Sequence, residues 1–198
     1  AVLSDADRVA ALHRTGLLDD PPRLQLDQFA ALAAEALGTH YAAVSLVDSD
    51  KQVLVGWNDS GGLGRTRTLE QSICKYAVAS GEPLIVDDTS EHPLLADSPV
   101  VNDGSVRSYA GIPLTDRHGQ VVGTLCAWGQ ERRTLAEPQR VILRHLGRER
   151  LRHRRVLGDE GIHRRDPVRV GRLRVDPTRV LGVELVGGLV AYERVVVG

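Results

Sequence analysis

Two thiols, Cys74 and Cys126, are the only cysteines in the chain. Cys74 sits near the start of a segment that reads as a helix, Ser72 to Ser80. The positive end of a helix favours thiolate, so a redox sensor or a covalent ligand anchor is one reading. The competing reading is a small buried hydrophobe. Cys126 alternates with Thr124 and Trp128 along a strand, which assigns it to the core. A second group follows another strand end: Asp87, Asp88, Thr89, Ser90, Glu91 and His92. Short polar side chains there could hold a ligand or an ion, or Asp88 and Ser90 could fold back onto nearby amides. His92 has no His or Cys at ligand spacing, so no metal site is expected. Arg107 and Tyr109 alternate on one strand face, where a guanidinium could pair with a ligand carboxylate or phosphate, or with Asp87 or Asp103. Together Cys74, Asp87, Asp88, Ser90, His92, Arg107 and Tyr109 form the candidate ligand pocket. A glycine-rich phosphate loop, a Ser/His/Asp order and a paired-carboxylate signature are missing, so the sequence predicts a binding module and not an enzyme.

These residues need a frame. Ser4 to Arg14 carries a helix start signal, with Ser4 as the capping residue and Asp5 and Asp7 near the positive end. The segment Leu24 to Leu37 repeats Leu26, Phe29, Ala30, Ala33 and Leu37 at helical intervals, which predicts an amphipathic helix. Tyr41 to Asp48 reads as a buried strand, and Lys51 to Trp57 as its return. Asn58 to Thr68 has no periodicity and is expected to be a loop. After the Ser72 helix, Leu84 to Asp87 reads as a strand, and Asp88 to Val101 as irregular. Val106 to Leu114 and Gln120 to Trp128 form a hairpin around a loop ending in Gly119. A long helix runs from Leu135 to near Val156, with Leu135, Ile142, Leu143 and Leu146 on its apolar side. The expected fold is α+β: a central antiparallel sheet with helices on both faces. The helices at Leu24 and Leu135 share one face. The Ser72 helix and the irregular stretch cover a hollow on the other.

Hydrophobic residues make up 42% of the chain and charged ones 26%, as in an ordinary soluble domain. Aromatics reach only 4%, so the core must be aliphatic. A net charge of −1 gives no whole-chain attraction to nucleic acid or anionic membrane. The arginine-rich helix Arg140 to Arg155 lacks aromatics for stacking and interleaves acids, so it reads as a solvated face leading to a partner. No apolar run is long enough to span a membrane, no secretory leader is visible, and two cysteines do not make a disulfide framework. A cytoplasmic protein with a trimmed N-terminus is the expectation. From Asp159 to Gly198 the composition shifts to Arg, Val, Gly and Leu, with strand-like alternation at Val168 to Val175 and around Gly187-Gly188. Residues 1–157 are expected to be one domain and 158–198 a strand-prone tail. The tail is either the start of a second domain or the product of a shifted reading frame.

Several stretches in order carry a resemblance: Thr15 to Asp19, Val44 to Asp48, Ser72-Ile73-Cys74, Leu84 to Asp88, His92-Pro93, Tyr109 to Leu114 and Gly123 to Cys126. From Asp7 to Leu146 the chain resembles GAF domains. It is nearest the bacterial subgroup found in histidine kinases, diguanylate cyclases and phosphatases. The resemblance implies a GAF/PAS-like sheet and a sensory role in signal transduction. A small-molecule ligand, a homodimer through the terminal helices and an effector kinase, cyclase or phosphatase follow from it as expectations. It specifies no cofactor. The cysteine–histidine pair of bilin-binding members is absent, since Lys75 follows Cys74, and the phenylalanine signature of cyclic-nucleotide binders has no match. The cysteines also depart from the pattern of free methionine sulfoxide reductases. The alternatives are a ligand-free dimerisation scaffold, and a thiol-based redox enzyme or sensor using Cys74.

Overall fold

The computed structural model describes residues 2–19, 23–58, 64–116, 118–149, 181–186 and 189–194. The chain divides into two compact units, Ala1–Glu160 and Gly161–Gly198.

In the first unit, α1 spans Ala6–Arg14 and α2 spans Arg23–Leu37. The strands β1 (Tyr41–Val47), β2 (Lys51–Trp57) and β3 (Thr66–Thr68) follow. Then come α3 (Cys74–Ser80), β4 (Leu84–Val86), a 3-10 turn at Thr89–Glu91 and the short α4 (Pro99–Asn102). The hairpin β5 (Ser108–Thr115) and β6 (Val121–Gly129) leads to α5 (Glu137–Glu149). The strands form one antiparallel sheet in the order β3-β2-β1-β6-β5-β4. The expected fold class therefore holds.

The sheet is buried on both sides because its central strands are apolar at nearly every position. On one side, Leu26, Phe29, Ala33 and Leu37 of α2 pack with Leu143 and Leu146 of α5 over Val44, Ile112 and Leu125. These are the stripes that the helical spacing predicts. Each fully buried Leu or Phe contributes about 1.5–3 kcal/mol relative to exposure. On the other side, Ile73, Cys74 and Val78 pack with Leu95 and Val101 over Ala43, Val47, Tyr109 and Cys126. A bulge in β2 opposite Val44 and Ser45 shifts the strand's phase. Leu54 and Trp57, three residues apart, therefore both face the Cys74 side.

Two local expectations change, and one lies partly beyond the described residues. Asp5, not Ser4, caps α1, its Oδ1 accepting from the Arg8 amide at 2.9 Å, while Ser4 ends a 3-10 turn. Thr66–Thr68 is an edge strand paired with Lys51–Val53, too short to show a period within a glycine-rich stretch. Residues 59–63 of the expected loop lie outside the described residues. Finally, α5 is described to Glu149, and the expected continuation to Val156 lies outside the described residues.

In the second unit, β7 (Leu181–Val186) pairs antiparallel with β8 (Leu189–Arg194), on either side of Gly187-Gly188. The strand expected at Val168 to Val175 lies outside the described residues. Among the described residues, no helix is long and apolar enough to cross a membrane.

Candidate functional site

The seven candidate residues separate into four settings, and one contains a partner that spacing alone did not reveal. Cys74 is the first residue of α3, and Cys126 lies in the middle of β6. Their sulfurs are 3.6 Å apart, and both are free and buried. Tyr109 Oη lies 3.2 Å from Cys74 Sγ. Its ring reaches there because Gly111, the cross-strand neighbour of Cys126, has no side chain; a Cβ would collide with the Tyr109 ring. Gln52 Nε2 donates to Cys74 Sγ at 3.2 Å and to Ser45 Oγ at 2.7 Å. Among the described residues, the fully buried Thr124 hydroxyl, cross-strand from Ser45, has no hydrogen-bond partner of ordinary geometry.

This polar island in an aliphatic core sets the acidity of the thiols. The Cys126 hydrogen bond, opposed by burial and assisted by Thr124, Tyr109 and Ser45, pulls the Cys74 thiol down to about 6. The same bond, with burial, holds Cys126 well above the usual thiol range. Burial and the neighbouring sulfurs also push the Tyr109 phenol up. The donors that converge on Cys74 Sγ thus favour its thiolate over that of Cys126.

Asp88 and Ser90 form the second setting. Arg107 clamps Asp88 with Nε on Oδ1 at 2.6 Å and Nη2 on Oδ2 at 2.8 Å, and Ser90 Oγ donates to Oδ1 at 2.7 Å. The Asp88 carboxylate also accepts from the Ser90 amide at 3.1 Å, the turn-shaping bond that its residue type allows. Arg107 pairs with Asp88, where the sequence offered Asp87 or Asp103. Asp87 points elsewhere: its Oδ2 accepts from Thr134 Oγ1 at 2.7 Å, and its carbonyl accepts from the Arg133 amide at 3.0 Å. His92, half-buried, accepts from the Leu94 amide through Nδ1 at 3.3 Å.

The hollow expected around these groups is filled by side chains of this face: Leu54, Trp57, Ile73, Val78, Leu95 and Tyr109. A cavity of about 310 Å³ opens elsewhere, at the β2–β3 edge, lined by His13, Asp48, Lys51 and Arg65 among others. Another residue the sequence reading missed is Asp27 of α2. It accepts from the Trp57 amide at 2.7 Å and from Arg65 through both oxygens at 2.9 and 2.8 Å. Neither Asp27 nor Gln52 belongs to a local motif, so only the packing of α2 and β2 could identify them.

The GAF domain family profile matches residues 25–149, more than half of the chain. The chain belongs to the GAF domain family. The chain is 31% identical over 144 residues to the cyclic di-GMP phosphodiesterase PA2567 of Pseudomonas aeruginosa. That match covers 71% of this chain but only 24% of the phosphodiesterase. Among solved structures, the GAF domain of an Acinetobacter phosphoenolpyruvate-protein phosphotransferase superposes with a TM-score of 0.54 at 16% identity. It covers 78% of this chain and 98% of that one. A free methionine-R-sulfoxide reductase from Neisseria meningitidis, in complex with its substrate, gives 0.50 at 24% identity, covering 74% and 89%. At these identities the structures speak for the fold. The expectation that the chain is not an enzyme is overturned, because the relative is named as a phosphodiesterase and enzymes occur on this same fold.

Proposed function

We propose that this GAF domain is the sensory, regulatory module of a signalling protein. It binds a small molecule or senses a signal, and relays the change through its terminal helices to an effector. The observation supporting a relay is the pair of consecutive carboxylates after β4. Asp88 holds Arg107 and Ser90, at the loops beside the α3 face. Its neighbour Asp87 holds Thr134 and the Arg133 amide, at the segment entering α5, with Arg140 of α5 at 3.9 Å. A rearrangement on one side of the sheet would thus alter the footing of the helix on the other, the coupling that a relay needs.

The effector is a kinase, cyclase or phosphatase domain or partner, and the phosphodiesterase relative supports a place in cyclic-dinucleotide signalling. We assign the module to the bacterial cytoplasm, as a homodimer through α2 and α5, with residues 158–198 as a separate strand-rich appendage. Cys74, Asp87, Asp88, Ser90, His92, Arg107 and Tyr109 remain the proposed sensing residues. A second reading, a ligand-free dimerisation scaffold, draws support from the side chains packed around Cys74. Native mass spectrometry of the purified chain after incubation with cell metabolites tests both. A dimer that retains a small molecule supports the sensor, and a dimer that retains none supports the scaffold. A monomer without ligand overturns both readings.

A further inference from the structure

The two cysteines are far apart in sequence, yet their sulfurs meet inside the domain. The helix-borne thiol and the strand-borne thiol are 3.6 Å apart, and closing a disulfide needs about 2.05 Å. A movement of roughly 1.5 Å joins them. That helix, α3, has seven residues and ends in Gly81 with a left-handed φ of 71°. Cys126 is fixed in the central strand, flanked by β1 and β5. The mobile partner is therefore Cys74, and the anchored one is Cys126.

We propose that Cys74 and Cys126 form a reversible intramolecular disulfide on exposure to a peroxide-class oxidant, tying α3 to the middle of the sheet. Cys74 is the attacking sulfur: its Sγ accepts from Gln52 Nε2 and lies 3.2 Å from the Tyr109 hydroxyl, two donors that favour a thiolate, whereas Cys126 Sγ lies 3.6 Å from the Ala43 carbonyl, an acceptor. Its thiolate attacks the O–O bond of the peroxide, forming Cys74 sulfenic acid and releasing hydroxide, which takes up the thiol proton as water. The Cys126 sulfur then attacks the sulfenyl sulfur and loses its proton as the hydroxyl departs as a second water. The net change oxidises two thiols by two electrons and reduces hydrogen peroxide to two waters. A dithiol reductant reverses it by thiol–disulfide exchange.

Closing the bond removes the thiolate that Gln52 and Tyr109 serve. It also draws the start of α3 toward the middle of β6. Burial of both sulfurs makes entry of the oxidant depend on opening at α3, so the reaction is slower than at an exposed thiolate. The bond formation stands on the two sulfurs alone. Its use as the signal input rests on the regulatory reading above.

The test treats the purified chain with hydrogen peroxide, digests it without reduction, and seeks a linked peptide pair containing Cys74 and Cys126. The expected result is loss of both free thiols, one intramolecular cross-link, and full recovery with dithiothreitol. Cys74→Ala and Cys126→Ala each lose the cross-link while keeping the wild-type circular dichroism. Stepwise over-oxidation of Cys74 with no linked pair, or a link only between two chains, overturns the proposal. The wild-type digest decides this even where a variant folds poorly. Amide exchange of α5 before and after oxidation separates the two ideas. A cross-link with unchanged α5 exchange upholds the disulfide and counts against the relay.

Discussion

Arg107 meets Asp88 side-on, two parallel bonds of 2.6 and 2.8 Å joining the entry of β5 to the turn after β4. The Arg107 bond, with those from Ser90, holds the Asp88 carboxyl well below the usual carboxylate range. A carboxyl whose folded value is depressed adds stability that is fully present above its unfolded value, about 4. That stability is lost as pH falls from there through the lower folded value. Asp88→Asn should therefore lower stability at neutral pH and give a shallower loss below about pH 4 than the wild type. Urea titrations across this acid range measure it. Parallel curves for the two proteins would show that the clamp adds nothing.

Tyr109→Phe removes the hydroxyl beside Cys74 while keeping the ring over Gly111. The Cys74 titration should move up from about 6, because one group favouring its thiolate is gone. The loss of the bond should cost about 0.5–1.5 kcal/mol. Thiolate absorbance followed against pH, alongside chemical denaturation, reads both effects. An unmoved titration would place the hydroxyl outside the cluster.

Residue spacing revealed what repeats and hid what converges. The stripe Leu26, Phe29, Ala33 and Leu37 announces α2 because helical geometry imposes its own period on burial. The hairpin is visible because its strands are long and Gly119, at a φ of 84°, ends the turn. The pairing of Cys74 with Cys126 left no such trace. It depends on where a short helix lands on a sheet, which no local pattern specifies. The same holds for Asp88, which took Arg107 although Asp103 is far nearer in sequence and Asp87 is its immediate neighbour. The bulge that turns Trp57 toward Cys74 also shifts the alternation from which a strand face is read. The hollow expected under the Ser72 helix is taken up by side chains whose inward packing no local pattern specifies.

Asp27 joins α2 to the β2–β3 edge through three bonds at once. One satisfies the Trp57 backbone amide, and two grip Arg65. Asp27→Ala should cost about 1–3 kcal/mol, since it leaves the Trp57 amide without its acceptor and Arg65 with the Leu54 carbonyl in place of its carboxylate. Arg65→Ala should cost less, because the Trp57 amide keeps its acceptor. Denaturation of the two variants measures the order. Equal losses would mean that the amide bond carries no share.

Arg8 is the buried cation of α1, and it acts through the backbone ends of three elements. Its Nη1 donates to the Val47 carbonyl at 2.7 Å and to that of Val121 at 3.4 Å, and its Nη2 donates to Leu3 at 2.5 Å. Burial lowers its pKa, and the nearby Asp48 and Asp5 oppose that shift. The nine residues of α1 are too few to hold a helix alone, so its docking depends on tertiary contacts such as these. Arg8→Met keeps the stem but leaves the Val47 and Leu3 carbonyls without this donor, at an expected cost of about 1.5–3 kcal/mol. Arg8→Lys restores a charge but not the planar fork that reaches divergent carbonyls, so it should recover only part of the loss. Amide exchange across residues 6–14 should rise in the order wild type, Lys, Met. Full recovery by Lys would show that charge, and not the fork, docks the helix.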